Sequence, residues 1–270
     1  MPQETEIVSI PEVRSAGAVA GQTGEPRGRV ILNADDWGRD IATTDRTMEC
    51  FAAGAMSSVS AMVFMEDSER AAALAREKKI DAGLHLNFTS PFTGPNVSER
   101  LTREQSRLGS YLQRNRLAQT LYHPGLASSF AYVVSAQLDE FRRLFGKNPE
   151  RIDGHHHMHL CSNVIRGRLL PEGTLVRRNF SFAAGEKSAL NRFYRGRQDQ
   201  QLARRHGMAD FLYSLPPIEP QRLNRIAAAA RTGIVEVETH PINPREYEFF
   251  TSGEVFRWLG NIPLATSYRI

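Results

Sequence analysis

The chain has 270 residues, 41% of them hydrophobic and 24% charged, the proportions of a globular protein with one substantial core. No apolar run approaches the roughly 20 residues that a bilayer-spanning helix needs, so no membrane span is expected. The net charge of +4 is uneven: from Arg166 to Arg231 there are 13 Lys and Arg against 5 Asp and Glu.

That basic segment reads either as a solvated face or as an electrostatic site for an anionic substrate. Zinc-finger spacing and RNA-recognition motifs are missing from it, so nucleic acid is not an expected partner. Residues 1–28 are rich in Gly, Ala, Pro, Glu and Thr and carry no compact apolar stretch of signal-peptide type. They are expected to be a loosely ordered extension ahead of a single domain at 29–270. Two cysteines, Cys50 and Cys161, are too few for a disulfide framework and point to free thiols in a reducing cytosol. Cys161 follows a histidine-rich stretch, where a buried thiol or a soft metal ligand are the two readings.

In chain order, Val30–Ala34 is a short apolar run ending in two carboxylates, and Ile41–Ala53 has helical spacing with Gly54 as its stop. Ser57–Phe64 reads as a strand, Asp67–Lys78 as an Ala-rich helix and Ile80–Leu86 as a strand. Phe130–Phe145 is an amphipathic helix closed by Gly146, followed by a short strand at Arg151–Asp153. Beyond the basic segment come a strand near Phe211–Leu215, a helix at Gln221–Arg231 and a strand at Ile234–Glu238. A helix at Ser252–Leu259 and a last strand near Leu264–Arg269 complete the order. Strand alternating with helix implies parallel strands, hence an α/β fold. About seven strands in this length suit a barrel better than a large open sheet, and no phosphate-binding glycine loop follows any strand.

The unusual polar residues fall at strand ends. Asp35 and Asp36 close the first strand, His85 the third, His155-His156-His157-Met158-His159 the fourth, and His240 follows Ile234–Glu238. In parallel barrels that rim is where active sites are built. Taken singly, each has a plainer role. Asp36 could cap a helix, His85 could be a core histidine, and His240 a surface group or a further ligand. Their convergence favours a catalytic metal site of mixed oxygen and nitrogen ligands with open positions. One or at most two of the four clustered histidines are expected to touch the metal, the rest orienting it. The ligand types allow Mg²⁺, Zn²⁺, Mn²⁺, Fe²⁺ or Co²⁺.

Four motifs in order, Asn33-Ala34-Asp35-Asp36-Trp37-Gly38, Gly83-Leu84-His85-Leu86-Asn87, Asp153-Gly154-His155-His156-His157-Met158-His159 and Thr239-His240-Pro241, resemble those of the YdjC-like carbohydrate deacetylases, a group that takes in chitooligosaccharide and hopanoid-associated deacetylases. The resemblance runs from about Arg29 to the C-terminus and implies a distorted (β/α) barrel. It implies Asp36, His85 and His155 as ligands of one divalent metal, Mg or Zn foremost, with Asp35 as general base and His240 as general acid. The implied reaction releases acetate from an N-acetylated carbohydrate. Trp37 replaces the family's usual Phe, Gly154 a common Ser and Thr239 a common Cys, changes that reshape the pocket without removing a reacting group. Trp37, Arg177 and Arg178 are candidate substrate contacts, the arginines because guanidinium forks suit phosphate or carboxylate. A metal-dependent phosphoesterase and a silent sugar-binding protein are the rival readings, and a homodimer is an allowed assembly.

Overall fold

A computed structural model describes residues 28–114, 116–182 and 185–270 of the chain; the expected extension, up to residue 27, lies outside the described residues. Seven strands form one parallel sheet: β1 (Arg29–Trp37), β2 (Ser58–Ala61), β3 (Ala82–Leu86), β4 (Arg151–Gly154), β5 (Leu175–Val176), β6 (Phe211–Ser214) and β7 (Ile234–Thr239). Their order across the sheet is β5-β4-β3-β2-β1-β7-β6, which makes β1 an interior strand. That position explains its unbroken apolar start, because a strand covered on both faces has no solvent side to alternate with. Val30, Ile31, Leu32 and Ala34 are all fully buried.

The sheet curls until its edges approach. Leu175 of β5 bridges to Gly207, just ahead of β6, and Val176 N donates to Gly207 O at 2.9 Å. Further along, Ser181 N donates to Leu212 O of β6 at 2.9 Å. The result is the distorted (β/α) barrel that the motif resemblance implies.

Helices α1 (Ile41–Ala52), α2 (Ser68–Lys78), α3 (Glu99–Arg114), α4 (Arg116–Thr120) and α5 (Ala127–Phe145) precede β4. Later come α6 (Ser162–Arg166), α7 (Ala189–Ala203), α8 (Pro220–Ala230), α9 (Pro244–Thr251) and α10 (Glu254–Leu259). The cap of α1 is Asp40, whose carboxylate accepts from Thr43 N at 2.8 Å, so Asp36 is free of that duty. Gly146 closes α5 in the left-handed region at φ 71°, where glycine carries no Cβ penalty.

Several features depart from the expected elements. Helix α3 has its apolar stripe reduced to Leu101, Leu108 and Leu112 among charges, a pattern too narrow to stand out. The stretch expected to be one helix at Ser252–Leu259 is preceded by α9 and starts only after Gly253, which takes φ 78°. Residues Leu264–Arg269 form no strand. Leu264 makes a single bridge to Val30, and Tyr268 N donates to Asp81 Oδ2 at 2.7 Å, so side-chain anchors replace a ladder. The seventh strand is instead the two-residue β5, inside the basic segment.

Candidate metal centre and catalytic rim

The end of β1 solves a geometric problem, because adjacent strand residues point to opposite faces. Between Ala34 and Trp37 the register against β2 slips, and Asp36 adopts φ 64°. A bulge of this kind re-aims a side chain, and aspartate tolerates the left-handed region better than most residues. Both carboxylates thereby reach the barrel mouth. Trp37 turns away from it: the indole is fully buried and Nε1 donates to Ala71 O at 3.1 Å.

Asp36 Oδ1 lies 2.9 Å from His155 Nδ1 and 3.4 Å from His85 Nε2. The three ligand atoms lie within 4.8 Å of one another, all on buried residues. Oδ1 nevertheless has no well-directed hydrogen bond, an anomaly for a buried carboxylate oxygen. A divalent cation at this point would satisfy all three atoms. The far side of His85 is prepared for the same purpose. Its Nδ1 sits 2.7 Å from Asp153 Oδ1, and since a carboxylate only accepts, Nδ1 carries the proton and Nε2 is the atom left for a cation. The register pairs these two residues directly on β3 and β4.

The electrostatics agree. Burial disfavours charge on His85, yet the Asp35 charge and the bonds to Asp153 and Asp36 push its pKa up to about 10. Burial likewise raises Asp36, but the closeness and charges of His155 and His85 hold it well below the usual carboxylate range. The field at this spot therefore calls for positive charge, which a proton or a metal ion can supply. Cys161 is no part of the cluster: it is buried, and burial pushes its thiol up to about 12.

The four histidines divide their roles through backbone geometry. His156 and His157 take φ 54° and 58°, so successive imidazoles fan out. His155 meets Asp36. His156 stacks on His155 with centroids 4.0 Å apart and shares a 3.0 Å hydrogen bond with Thr89 Oγ1. His157 Nε2 pairs with Glu238 Oε2 at 2.9 Å, and His159 Nε2 faces Arg177 O at 3.0 Å. Gly154 permits the close return of this turn, since a Cβ there would stand 3.0 Å from His159 N.

Arg177 is placed where the expectation did not put it. Its side chain is fully buried inside the barrel, donating from Nη1 and Nη2 to Asp35 at 2.6 and 2.7 Å and from Nε to Glu236 at 2.7 Å. Asp153 Oδ2 lies 3.2 Å away and Glu238 Oε2 3.5 Å. It is a tether for carboxylates with no surface left for a substrate. Arg178 is also committed, to Asp199 Oδ2 at 3.0 Å and to the carbonyl of Asp210. His240 stands half-buried at the mouth, its N–H donating to Glu246 Oε2 at 2.8 Å. Its ring nitrogen comes within 4.8 Å of Asp35 and Glu238 oxygens, a second convergent group beside the first.

Sequence reasoning passes over Glu236 and Glu238 as partners, although a signal for them exists. Charged residues at every second position in Arg151-Ile152-Asp153 and Glu236-Val237-Glu238 mark a polar interior face on otherwise apolar strands.

Among known proteins, a 146-residue stretch is 36% identical to a mouse carbohydrate deacetylase and covers 52% of this chain and 46% of that protein. The human counterpart is 35% identical, with 44% of its length covered, so the match spans under half of either mammalian protein. A carbohydrate deacetylase of Clostridium beijerinckii is 28% identical over 217 residues, 79% of this chain and 81% of that one. A solved structure from Enterococcus faecalis, named for cellobiose-phosphate cleavage, superposes with a TM-score of 0.63 over 88% of this chain and 97% of its own, at 18% identity, which supports the fold. The family described as YdjC-like protein matches residues 29–260, a stretch holding every motif above, and the chain belongs to that family.

Proposed function

We propose that the protein is a metal-dependent N-deacetylase of an acetylated sugar, with Asp36, His85 and His155 as metal ligands, Asp35 as general base and His240 as general acid. The observation that carries the reading is the orphaned Asp36 Oδ1 facing two imidazole nitrogens, with Asp35 and His240 beside it. The relatives' names, carbohydrate deacetylases, support an acetylated carbohydrate as the substrate. When bound, a divalent cation supplies Lewis-acid polarisation and a lowered pKa of water.

The chain's own residues account for the proton movements. Asp35 Oδ1 accepts from both Asn33 Nδ2, at 2.8 Å, and Arg177 Nη2, whereas Oδ2 accepts from Arg177 Nη1 alone. Oδ2 therefore keeps a lone pair, and it is the oxygen 3.9 Å from His85 Nε2, facing the ligand cluster. Oδ2 is the atom that takes the proton of the attacking water. Arg177 holds the carboxylate in one orientation through its fork, which a lysine could not do. His240, beside Asp35 at the mouth, delivers a proton to the departing amine, which is otherwise a poor leaving group. Glu246 fixes the backbone from which His240 projects.

Asp35→Asn and Asp36→Asn separate the two roles. The first is expected to keep one metal per chain while losing on the order of a hundredfold or more in kcat, the range for general acid–base catalysis. The second is expected to lose the metal. Near wild-type acetate release by Asp35→Asn, with metal content measured in parallel, would exclude Asp35 as the base.

A further inference from the structure

Among the described residues eight large hydrophobic side chains are exposed, and five of them, Leu117, Leu121, Tyr122, Leu190 and Phe193, belong to two short segments. Scattered singly, such residues need no explanation. These are gathered. Gln119 and Thr120 of α4 and Asn191 and Tyr194 of α7 border one cleft of about 400 Å³, which His156 and His157 also line. The two apolar segments therefore flank a single opening beside the candidate catalytic rim.

Helical spacing sets what each segment presents. Leu190 and Phe193 are three residues apart, hence on one side of α7, while Asn191, Tyr194 and Gln198 turn a separate stripe to the cleft. Leu117 and Leu121 are four residues apart at α4. Leu117 is 65% exposed, Leu121 60%, Leu190 76% and Phe193 67%, and none of the four lines the cleft. They stand as separate tips around it.

Charge decides what such tips meet. Arg114, Lys187, Arg192 and Arg197 are exposed among them, and neither 114–123 nor 187–198 contains an Asp or Glu. Leucine and phenylalanine interleaved with arginine and lysine suit an anionic bilayer: apolar tips enter the acyl boundary while the cations meet lipid phosphates. A second copy of the chain is a poorer occupant, because a twofold contact would set these cations against themselves. An acidic protein would answer the charge, but tips on either side of an opening suit a fluid surface that needs no matching shape.

We propose that the face formed by α4 and the start of α7 docks on an anionic lipid bilayer, so that the cleft opens at the headgroup layer. This goes beyond the deacetylase reading and does not depend on it.

The test is sedimentation of the full chain with vesicles of phosphatidylcholine alone and of phosphatidylcholine with phosphatidylglycerol in equal parts. Binding is expected to the anionic vesicles and little to the neutral ones, and it should weaken in high salt. Arg192→Gln/Arg197→Gln is expected to lower the partition coefficient roughly 25-fold, about fivefold for each cation near such a surface. Leu190→Ser/Phe193→Ser is expected to lower it about tenfold or more through lost apolar insertion. All four side chains are exposed, so the urea midpoints of both variants should match wild type. Equal sedimentation with both vesicle types, sedimentation with neither, or binding that survives both double substitutions overturns the proposal. A dimer in light scattering that Leu190→Ser/Phe193→Ser splits also overturns it, because a second copy then covers the face. Binding to immobilised polyglutamate in place of vesicles assigns the face to an acidic protein and overturns it too.

Discussion

Glu246 couples the candidate catalytic rim to pH. It is buried, and burial pushes its carboxyl up to about 7 against the hydrogen bond from the His240 N–H. A folded-state pKa above the unfolded value means that the native chain holds the extra proton between about 4.5 and 7. The associated stability is complete below pH 4.5 and is lost as pH rises through 7, on the order of 3 kcal/mol in all. Glu246→Gln abolishes that titration, so its stability relative to wild type should rise from pH 5 to about pH 7 and level off by pH 8 in urea melts. A difference that stays flat over this range would contradict the assignment. Some residue positions were readable in the sequence and some were not. Asp35, Asp36, His85 and His155 could be placed at strand ends, but Trp37 and Arg177 looked like substrate contacts because aromatic and guanidinium groups near a rim usually are. Their burial depends on a bulge in β1 and on the return of β5 across the barrel, both tertiary facts.

At the scale of elements, β3 and β4 act as one unit. Arg151 on β4 donates to Asp153 Oδ2 at 3.0 Å, Ser60 Oγ at 2.9 Å and Val59 O at 2.7 Å, so it fixes the carboxylate that orients His85. Gly83 lies against it: a Cβ there would fall 2.7 Å from Arg151 Cζ and 2.9 Å from Arg151 O. Gly83→Ala is therefore expected to destabilise by about 1–3 kcal/mol, the usual cost of overpacking, and to weaken metal affinity with it. Urea denaturation and metal titration of the variant check both effects, and an alanine protein as stable as wild type would show that the two strands are not so coupled. Most elements on this side of the chain were legible, since β1, α1, α2, β3 and α5 have strong periodicity and clear stops. The strand β5 was not, because two residues in a basic segment carry no periodicity. The expected last strand failed for the opposite reason: its apolar residues are anchored by Tyr268, whose hydroxyl donates to Glu236 Oε2 at 2.6 Å, rather than by a ladder.

The whole molecule is a barrel whose mouth is charged within and without. Inside, Arg151 and Arg177 are matched by Asp35, Asp153, Glu236 and Glu238, an excess of carboxylates that suits a bound cation. Outside, the surplus of Arg166–Arg231 gathers beside α7, so the charge asymmetry seen along the sequence becomes a spatial one. Among the described residues, no helix is long and apolar enough to cross a membrane. The most direct measurement is a proton NMR time course of the metal-reconstituted protein with an N-acetylated chitooligosaccharide. The account predicts that a free acetate methyl signal grows as an acetamide methyl signal of equal area disappears, and that neither changes after chelation. A metal-loaded protein that releases no acetate across a panel of neutral and charged N-acetyl sugars would contradict it.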